Sequence, residues 1–280
     1  MISMSMDSAV RGTSLTALFS NAPNEGGFPA GRAASLISLI GRRADNQDRA
    51  CVALMSPRPG QARFVAAVFD GIGGMEAGAG AASLAASTFI QSLATSFSVD
   101  LDVALAMAIS EANAAVWATL RGRGGTTLTA IAMSGSGRCL AVHVGDSRLY
   151  VGFPLRQITT DDSPRGLFGY DLDFAPGGIF QFVGIGDRLR FQSFDLSKDE
   201  FDSLLLTTDG FHSAEGADLS TLLHRPGDTT GAALERFGKR LLPNDNATAV
   251  LISRRRAMAE LGRLAEGALL VASTTELRDR

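Results

Sequence analysis

Three apolar runs in this 280-residue chain end on an aspartate. Phe64 to Phe69 (FVAAVF) leads into Asp70-Gly71, Leu140 to Gly145 (LAVHVG) into Asp146-Ser147, and Leu204 to Thr208 (LLLTT) into Asp209-Gly210. A further aspartate, Asp245 in Asn244-Asp245-Asn246, stands just before the run that starts at Ala247. In antiparallel strands the end of one lies beside the start of the next, so all four carboxylates can share one edge. Carboxylates gathered in this way repel one another unless cations neutralise them. The chain has only two cysteines and three scattered histidines, so the cations should be hard and oxygen-preferring, Mg²⁺ or Mn²⁺.

Taken singly, each Asp-Gly is ordinary turn chemistry, because Asp bonds nearby backbone amides and Gly accepts positive φ. The argument for a site rests on the company these residues keep: Asp70-Gly71-Ile72-Gly73-Gly74 before a helix, Gly125-Thr126-Thr127 opening a strand, then Gly145-Asp146-Ser147-Arg148, Thr208-Asp209-Gly210 and Asp245-Asn246-Ala247-Thr248. Other candidates are weaker. His143 lies on an apolar strand and reads as a packed or hydrogen-bonded core residue; His212 follows Asp209 and could reach the same edge, and His224 has no partner pattern. The glycines from Gly71 to Gly80 match neither GxGxxG nor a P-loop and lack its lysine. Asp171-Leu172-Asp173 has no apolar strand before it and reads as loop.

The elements that must carry these residues are legible from period and punctuation. Strands are expected at Ser35 to Ile40, Ala50 to Met55, Arg63 to Phe69, Thr127 to Met133, Cys139 to Val144, Leu149 to Val151, Arg188 to Phe194, Ser203 to Leu206 and Ala247 to Ser253. Ala81, Leu84, Ala85 and Thr88, and then Leu105, Ile109, Ala112, Val116 and Leu120, recur at helical spacing, which inserts two adjacent helices between strand groups. Ser197-Lys198-Asp199-Glu200 has capping-box spacing for a short helix, and Asp228 or Thr229 can cap another that runs to about Leu241. Strands in runs and helices in runs predict an α+β fold with antiparallel sheets. Residues 1–30, rich in Ser, Asn, Gly and Pro near their end, are expected to be a mobile tail, with the domain over 31–255 and a helical C-terminal segment over 256–280, its helix from Arg256 to Ala272.

Composition excludes several functions. With 45% hydrophobic and 20% charged residues, the chain is too apolar for disorder. The N-terminus lacks the apolar core of a signal peptide, and no apolar run is expected to reach the roughly 20 residues of a spanning helix, so no membrane role is expected. A net charge of -3 gives no global positive field for nucleic acid. Cys51 and Cys139 sit in separate apolar runs, which suits a reducing cytoplasm.

With Arg43-Ala44-Asp45-Asn46-Gln47-Asp48 added at the front, six motifs stand in the order found in the metal-dependent serine/threonine protein phosphatases, the PPM or type 2C family. The sequence resembles the compact bacterial members from about Arg42 to Ile252. The resemblance implies an αββα sandwich of two antiparallel sheets flanked by helices, and hydrolysis of phosphoserine and phosphothreonine in proteins by a metal-bridged hydroxide. It implies two Mg²⁺ or Mn²⁺ ions, with a third in some members. By the same resemblance Asp70 bridges two metals, the Gly71 carbonyl helps hold the second, Asp209 and Asp245 hold the first, and Asp146 with Asp209 matches the third site. Arg43 matches the arginine that grips the substrate phosphate, while Asp48 and Asn246 match residues behind the ligands. Partners would be phosphorylated proteins, with an opposing Ser/Thr kinase.

Four departures stand out. Ile72 replaces the His or Met of other members, Gln47 a common Glu, and Asp162 a common His; the Ser163 to Phe180 segment is short for the family's flap. Gln47 and Ile72 motivate an alternative, a pseudophosphatase-type module that binds a phosphoprotein without turnover.

Overall fold

The computed structural model describes residues 2–5, 33–58, 60–72, 77–169, 178–222, 230–263 and 268–273. Among them the strands are β1 (Ile2–Ser5), β2 (Ala34–Leu39), β3 (Arg49–Ser56), β4 (Arg63–Phe69), β5 (Leu128–Ser134), β6 (Cys139–Val144), β7 (Arg148–Val151), β8 (Arg156–Gln157), β9 (Gln192–Asp195), β10 (Ser203–Thr207), β11 (Ala247–Ser253) and β12 (Ala268–Ser273). The α-helices are α1 (Gly78–Thr95), α2 (Leu101–Leu120), α3 (Pro164–Phe168), α4 (Asp209–His212), α5 (Thr230–Gly238) and α6 (Arg254–Leu261). One antiparallel sheet has the order β1-β12-β3-β4-β5-β6-β9, the other β2-β11-β10-β7-β8.

The strands read as continuous apolar runs because both faces of each sheet are covered. On β4, Val65, Ala67 and Phe69 join a core with α1 and α2, while Phe64, Ala66 and Val68 join a second core between the sheets. On β10, Leu204 and Leu206 belong to that middle core, and Leu205 to a third with Phe237 and Leu234 of α5. Three apolar layers thus separate helix, sheet, sheet and helix, an αββα sandwich. The alanines of α1 (Ala81, Ala82, Ala85, Ala86) are all fully buried and allow the backbone to approach the sheet and α2 closely.

Several expectations need correction. The expected helix from Arg256 to Ala272 ends at Leu261, and Ala268–Ser273 is instead a strand paired with β3. An apolar ALLVAS run beside an unpaired strand edge gains more from completing that edge than from helical propensity. Ile2–Ser5, expected within a mobile tail, pairs with β12 in turn, Ile2 opposite Val271. The capping-box helix at Ser197 does not form. Ser197 Oγ accepts from Cys139 N and its amide donates to Asp195 Oδ1, while Arg254 donates to the carbonyls of Ser197 and Asp199, so the segment is held as a turn. The strand expected over Arg188 to Phe194 is a 3₁₀ turn at Gly186–Arg188 followed by the short β9. Asp228 and Thr229, His224 and Asp171 to Asp173 lie outside the described residues.

The 20-residue α2, with mean hydropathy 1.4, is long and apolar enough to cross a membrane by length and composition alone, against the expectation that no run would be. It is packed in this fold: Leu101, Ala104, Leu105, Ala108, Ile109, Ala112 and Val116 are buried in the core shared with α1 and the sheet.

Candidate active site

The registers bring the expected residues to one edge of both sheets. Asp70 follows β4 opposite the start of β3, where Arg49 pairs with Phe69, so Asp48 and Asp70 lie side by side. In the second sheet Thr207 of β10 pairs with Arg148 and with Ala249, which sets Asp209 beside the starts of β7 and β11, hence beside Asp146 and Asp245.

Each carboxylate is held by its own backbone surroundings. Asp70 is clamped by the Thr126-Thr127 pair: Thr126 Oγ1 and Thr127 N donate to the Asp70 carbonyl at 2.8 and 2.9 Å, and Asp70 N donates to Thr127 Oγ1 at 3.0 Å. Gly71 must be glycine, since a Cβ there would lie 2.5 Å from the Gly78 carbonyl oxygen at the start of α1 and 2.8 Å from that of Gln47. Asp146 sits in a loop pinned by Ser147 Oγ against Thr127 Oγ1 at 2.7 Å and by Asp162, whose Oδ2 accepts from Gly145 N at 2.9 Å. Asp162 thus anchors the loop that carries Asp146. Asn246 accepts from Gln47 N and donates to the carbonyls of Ile40 and Asp45, which fastens the loop bearing Arg43. Arg43, 48% exposed, donates to Asp245 Oδ2 at 2.5 Å, at the open side of the cluster where an anion can reach it.

The electrostatics are those of an anionic cluster. Burial, then repulsion from Asp48, Asp209 and Asp146, raises the Asp70 carboxyl well above the usual range, and its hydrogen bond with Asp209 adds to this. Asp209 is raised by burial and by Asp245, against that hydrogen bond and Arg43. Asp146 is pushed up to about 7 by burial, Asp209 and Asp161. Asp48 is also pushed up to about 7, by burial first, although Thr208 and Thr248 hydroxyls favour its ionised form. Its Oδ2 accepts from Thr208 Oγ1 at 2.8 Å across the two sheets, and its buried Oδ1 has no partner.

Among the described residues, no group of three or more His, Cys, Asp or Glu is already drawn together as a metal-ligating set. The donor set nevertheless fits a hard cation. Its charged groups are all carboxylates, they raise one another's pKa as anions lacking countercharge do, and one buried oxygen is orphaned. The groups on this edge whose oxygens could hold such ions are Asp70, Asp146, Asp209 and Asp245, with the Gly71 carbonyl beside them.

His143 is the neutral core residue expected: Nδ1 meets Thr129 Oγ1 at 2.8 Å, and burial brings its pKa down to about 4. His212 is likewise neutral, its pKa brought down to about 3 by burial and Arg148, with Nδ1 on Thr207 Oγ1. Ile72 lies with the Phe182 ring against Gly125, which makes this part of the rim apolar. Sequence reasoning missed two supports. One is the hydroxyl pair Thr208 and Thr248, visible only as part of neighbouring motifs. The other is Asp161, which takes Arg148 in a bidentate ion pair at 2.7 to 3.2 Å and adds charge beside Asp146.

Two antiparallel sheets face to face, helices outside and carboxylates at one end of the sandwich define the fold of the PPM-type phosphatases. No family model matches the sequence, and no curated protein does. Solved structures do. The chain is similar to the PPM Ser-Thr phosphatase MsPP from Mycobacterium smegmatis, crystallised with cacodylate, at 26% identity over 81% of this chain and 99% of that one, TM-score 0.64. It is similar to the serine/threonine phosphatase PstP/Ppp of Mycobacterium tuberculosis at 25% identity over 79% and 97%, TM-score 0.61. The phosphatase Stp1 of Staphylococcus aureus aligns at 22% identity over 79% and 94%, TM-score 0.64. The fold of this chain is that of the bacterial PPM-type serine/threonine phosphatases.

Proposed function

We propose that the chain is a Mg²⁺- or Mn²⁺-dependent phosphatase acting on phosphoserine and phosphothreonine in proteins. The observation that carries this is the convergence of Asp70, Asp146, Asp209 and Asp245 on one sheet edge with exposed Arg43 against Asp245. The similarity to phosphatases with this fold supports it. Asp70, Gly71, Asp209 and Asp245 would hold two cations and Asp146 a third. When bound, such ions supply Lewis acidity to the phosphoryl oxygens and to water.

The chain's own residues do the rest. Arg43 offers a planar pair of donors to the phosphate, and its pairing with Asp245 aims the guanidinium along the cluster. Thr126 and Thr127 fix the backbone of Asp70, and Thr208 ties the Asp209 turn to Asp48 on the other sheet. Ile72 carries no proton to give, so the leaving oxygen would be protonated by water or by another group. Phosphorylated proteins as partners, an opposing Ser/Thr kinase and a cytoplasmic setting belong to the same proposal; Cys51 and Cys139 are both buried and free.

The test is turnover of a phosphothreonine peptide with Mn²⁺, with Mg²⁺ and with chelator, in wild type and in the Asp70→Asn and Asp209→Asn variants. Metal-dependent release of phosphate that both variants lose, while keeping the wild-type circular dichroism, is the expected result. Phosphopeptide binding without turnover under any metal condition would instead establish a non-enzymatic module.

A further inference from the structure

The chain returning from the 163–180 segment crosses the face of α2 at Val183 to Gly186. Gly184 and Gly186 have φ of +105° and +82°, and a Cβ on Gly184 would lie 2.6 Å from Val116 Cγ1, one on Gly186 3.2 Å from the Trp117 ring. The two glycines let this turn lie directly on the helix. Asn113, one turn before Trp117 and 7% exposed, places its amide between them. Its Oδ1 accepts from Gly184 N at 2.9 Å and its Nδ2 donates to the Gly186 carbonyl at 2.7 Å. The position demands one acceptor and one donor on a short side chain, a demand that Asn meets and Asp or Leu does not.

The turn so gripped begins directly after Val183, which is one step from the site. Val183 pairs with Thr126 in both directions, Val183 N to Thr126 O at 2.8 Å and Thr126 N to Val183 O at 3.1 Å. On its other side the same stretch holds Asp70 through Thr126 Oγ1 and Thr127 N, and Ile72 N donates to Gly125 O at 3.0 Å. Gly125 to Thr127 is therefore the middle of a small three-stranded patch, with Asp70 to Ile72 on one flank and Val183 on the other. We propose that Asn113 is a positioning residue for the site: acting through Val183 and Thr126, it fixes the backbone that presents Asp70 and Gly71. Its side chain touches neither. Small displacements matter here because reacting groups lose their alignment with shifts of the order of 1 Å.

The experiment uses the full-length protein and compares Asn113→Ala and Asn113→Asp with Arg63→Leu, which removes a buried polar side chain at the opposite end of β4. Amide hydrogen exchange is measured in chelator, and p-nitrophenyl phosphate turnover in saturating Mn²⁺, at a temperature where circular dichroism shows every variant folded. Asn113→Ala is expected to speed exchange about tenfold or more at Val183, Thr126, Thr127 and Ile72 and to lower kcat at least tenfold. Asn113→Asp keeps the acceptor for Gly184 N but not the donor, so it should fall between; it decides by the same criteria if the alanine variant does not fold. Arg63→Leu should leave those amides and kcat within about threefold of wild type even where its urea midpoint is as low. Unchanged protection at Thr126, Thr127 and Ile72, or a kcat loss no larger than that of Arg63→Leu, overturns the proposal. The activity arm rests on the phosphatase assignment; if wild type shows no turnover, that assignment fails and the exchange arm alone decides the role of Asn113.

Discussion

Asp48→Asn should invert the stability order of wild type and variant between acid and alkaline pH in metal-free protein. Asp48 is 1% exposed. Its carboxyl is moved from 3.8 to about 7, by burial first and then by repulsion from Asp209 and Asp245, against hydrogen bonds from Thr248 and Thr208. Between those values the folded chain keeps a proton that the unfolded chain has lost, so unfolding free energy falls as pH rises, by at most about 1.4 kcal/mol per pH unit for one proton. The stabilisation is complete below about pH 4 and gone above about pH 7. Three units correspond to a ceiling of about 4 kcal/mol. Asn cannot ionise; its amide, facing the place where Oδ1 has no partner, costs about 1–3 kcal/mol at every pH. The variant should therefore be less stable than wild type near pH 4.5 and more stable, by roughly 1–3 kcal/mol, near pH 8. Urea unfolding in chelator from pH 4.5 to 8 reads this directly. Parallel stability curves for the two proteins would refute it. Adding Mn²⁺ at pH 8 should remove the variant's advantage, because a bound cation supplies wild type with the missing countercharge.

Three further outcomes are expected. Arg43→Ala should raise KM for a phosphopeptide about tenfold or more with a smaller change in kcat; a defect confined to metal affinity in Mn²⁺ titrations would contradict its phosphate role. Arg63→Leu should lose about 2–4 kcal/mol in urea unfolding, because Arg63 donates to the carbonyls of Leu93, Ser96 and Val99 at 2.9, 3.0 and 3.3 Å where α1 ends, and a loss below about 0.5 kcal/mol would show those carbonyls to be satisfied otherwise. Substrate breadth should be wide: the Ser163 to Phe180 stretch is short for a flap that walls the site, so unrelated phosphothreonine peptides should differ by about tenfold or less in kcat/KM, about 1.4 kcal/mol, with a small aryl phosphate also hydrolysed. Hundredfold preferences set by flanking residues would place specificity on another surface.

The glycines of that segment show how far local sequence carries. Glycines in a short loop segment read as loose, yet a Cβ on Gly166 would strike the Asp161 carbonyl at 2.1 Å, and Gly169 ends α3 with φ +81°. Both are fixed by close approach and a helix cap, neither of which a composition count can distinguish from looseness. The strands bearing Asp70, Asp146, Asp209 and Asp245 were legible because each is covered on both faces and so reads as an unbroken apolar run ended by a turn residue. The order of those motifs was enough to place the carboxylates on one edge. The sequence alone could not say that ALLVAS would abandon a helix to fill the edge of β3, because the unpaired edge exists only once the sheet has formed. Nor could it single out Asn113 or Asp161, or say that Asp162 would anchor Gly145: these contacts span 13 to 73 residues of chain and form only when the turns after β6 and before β9 close on them. Local periodicity determined which residues become strands and where each ends; long-range hydrogen bonding, which satisfies buried backbone groups that no local pattern reveals, decided how those ends are held.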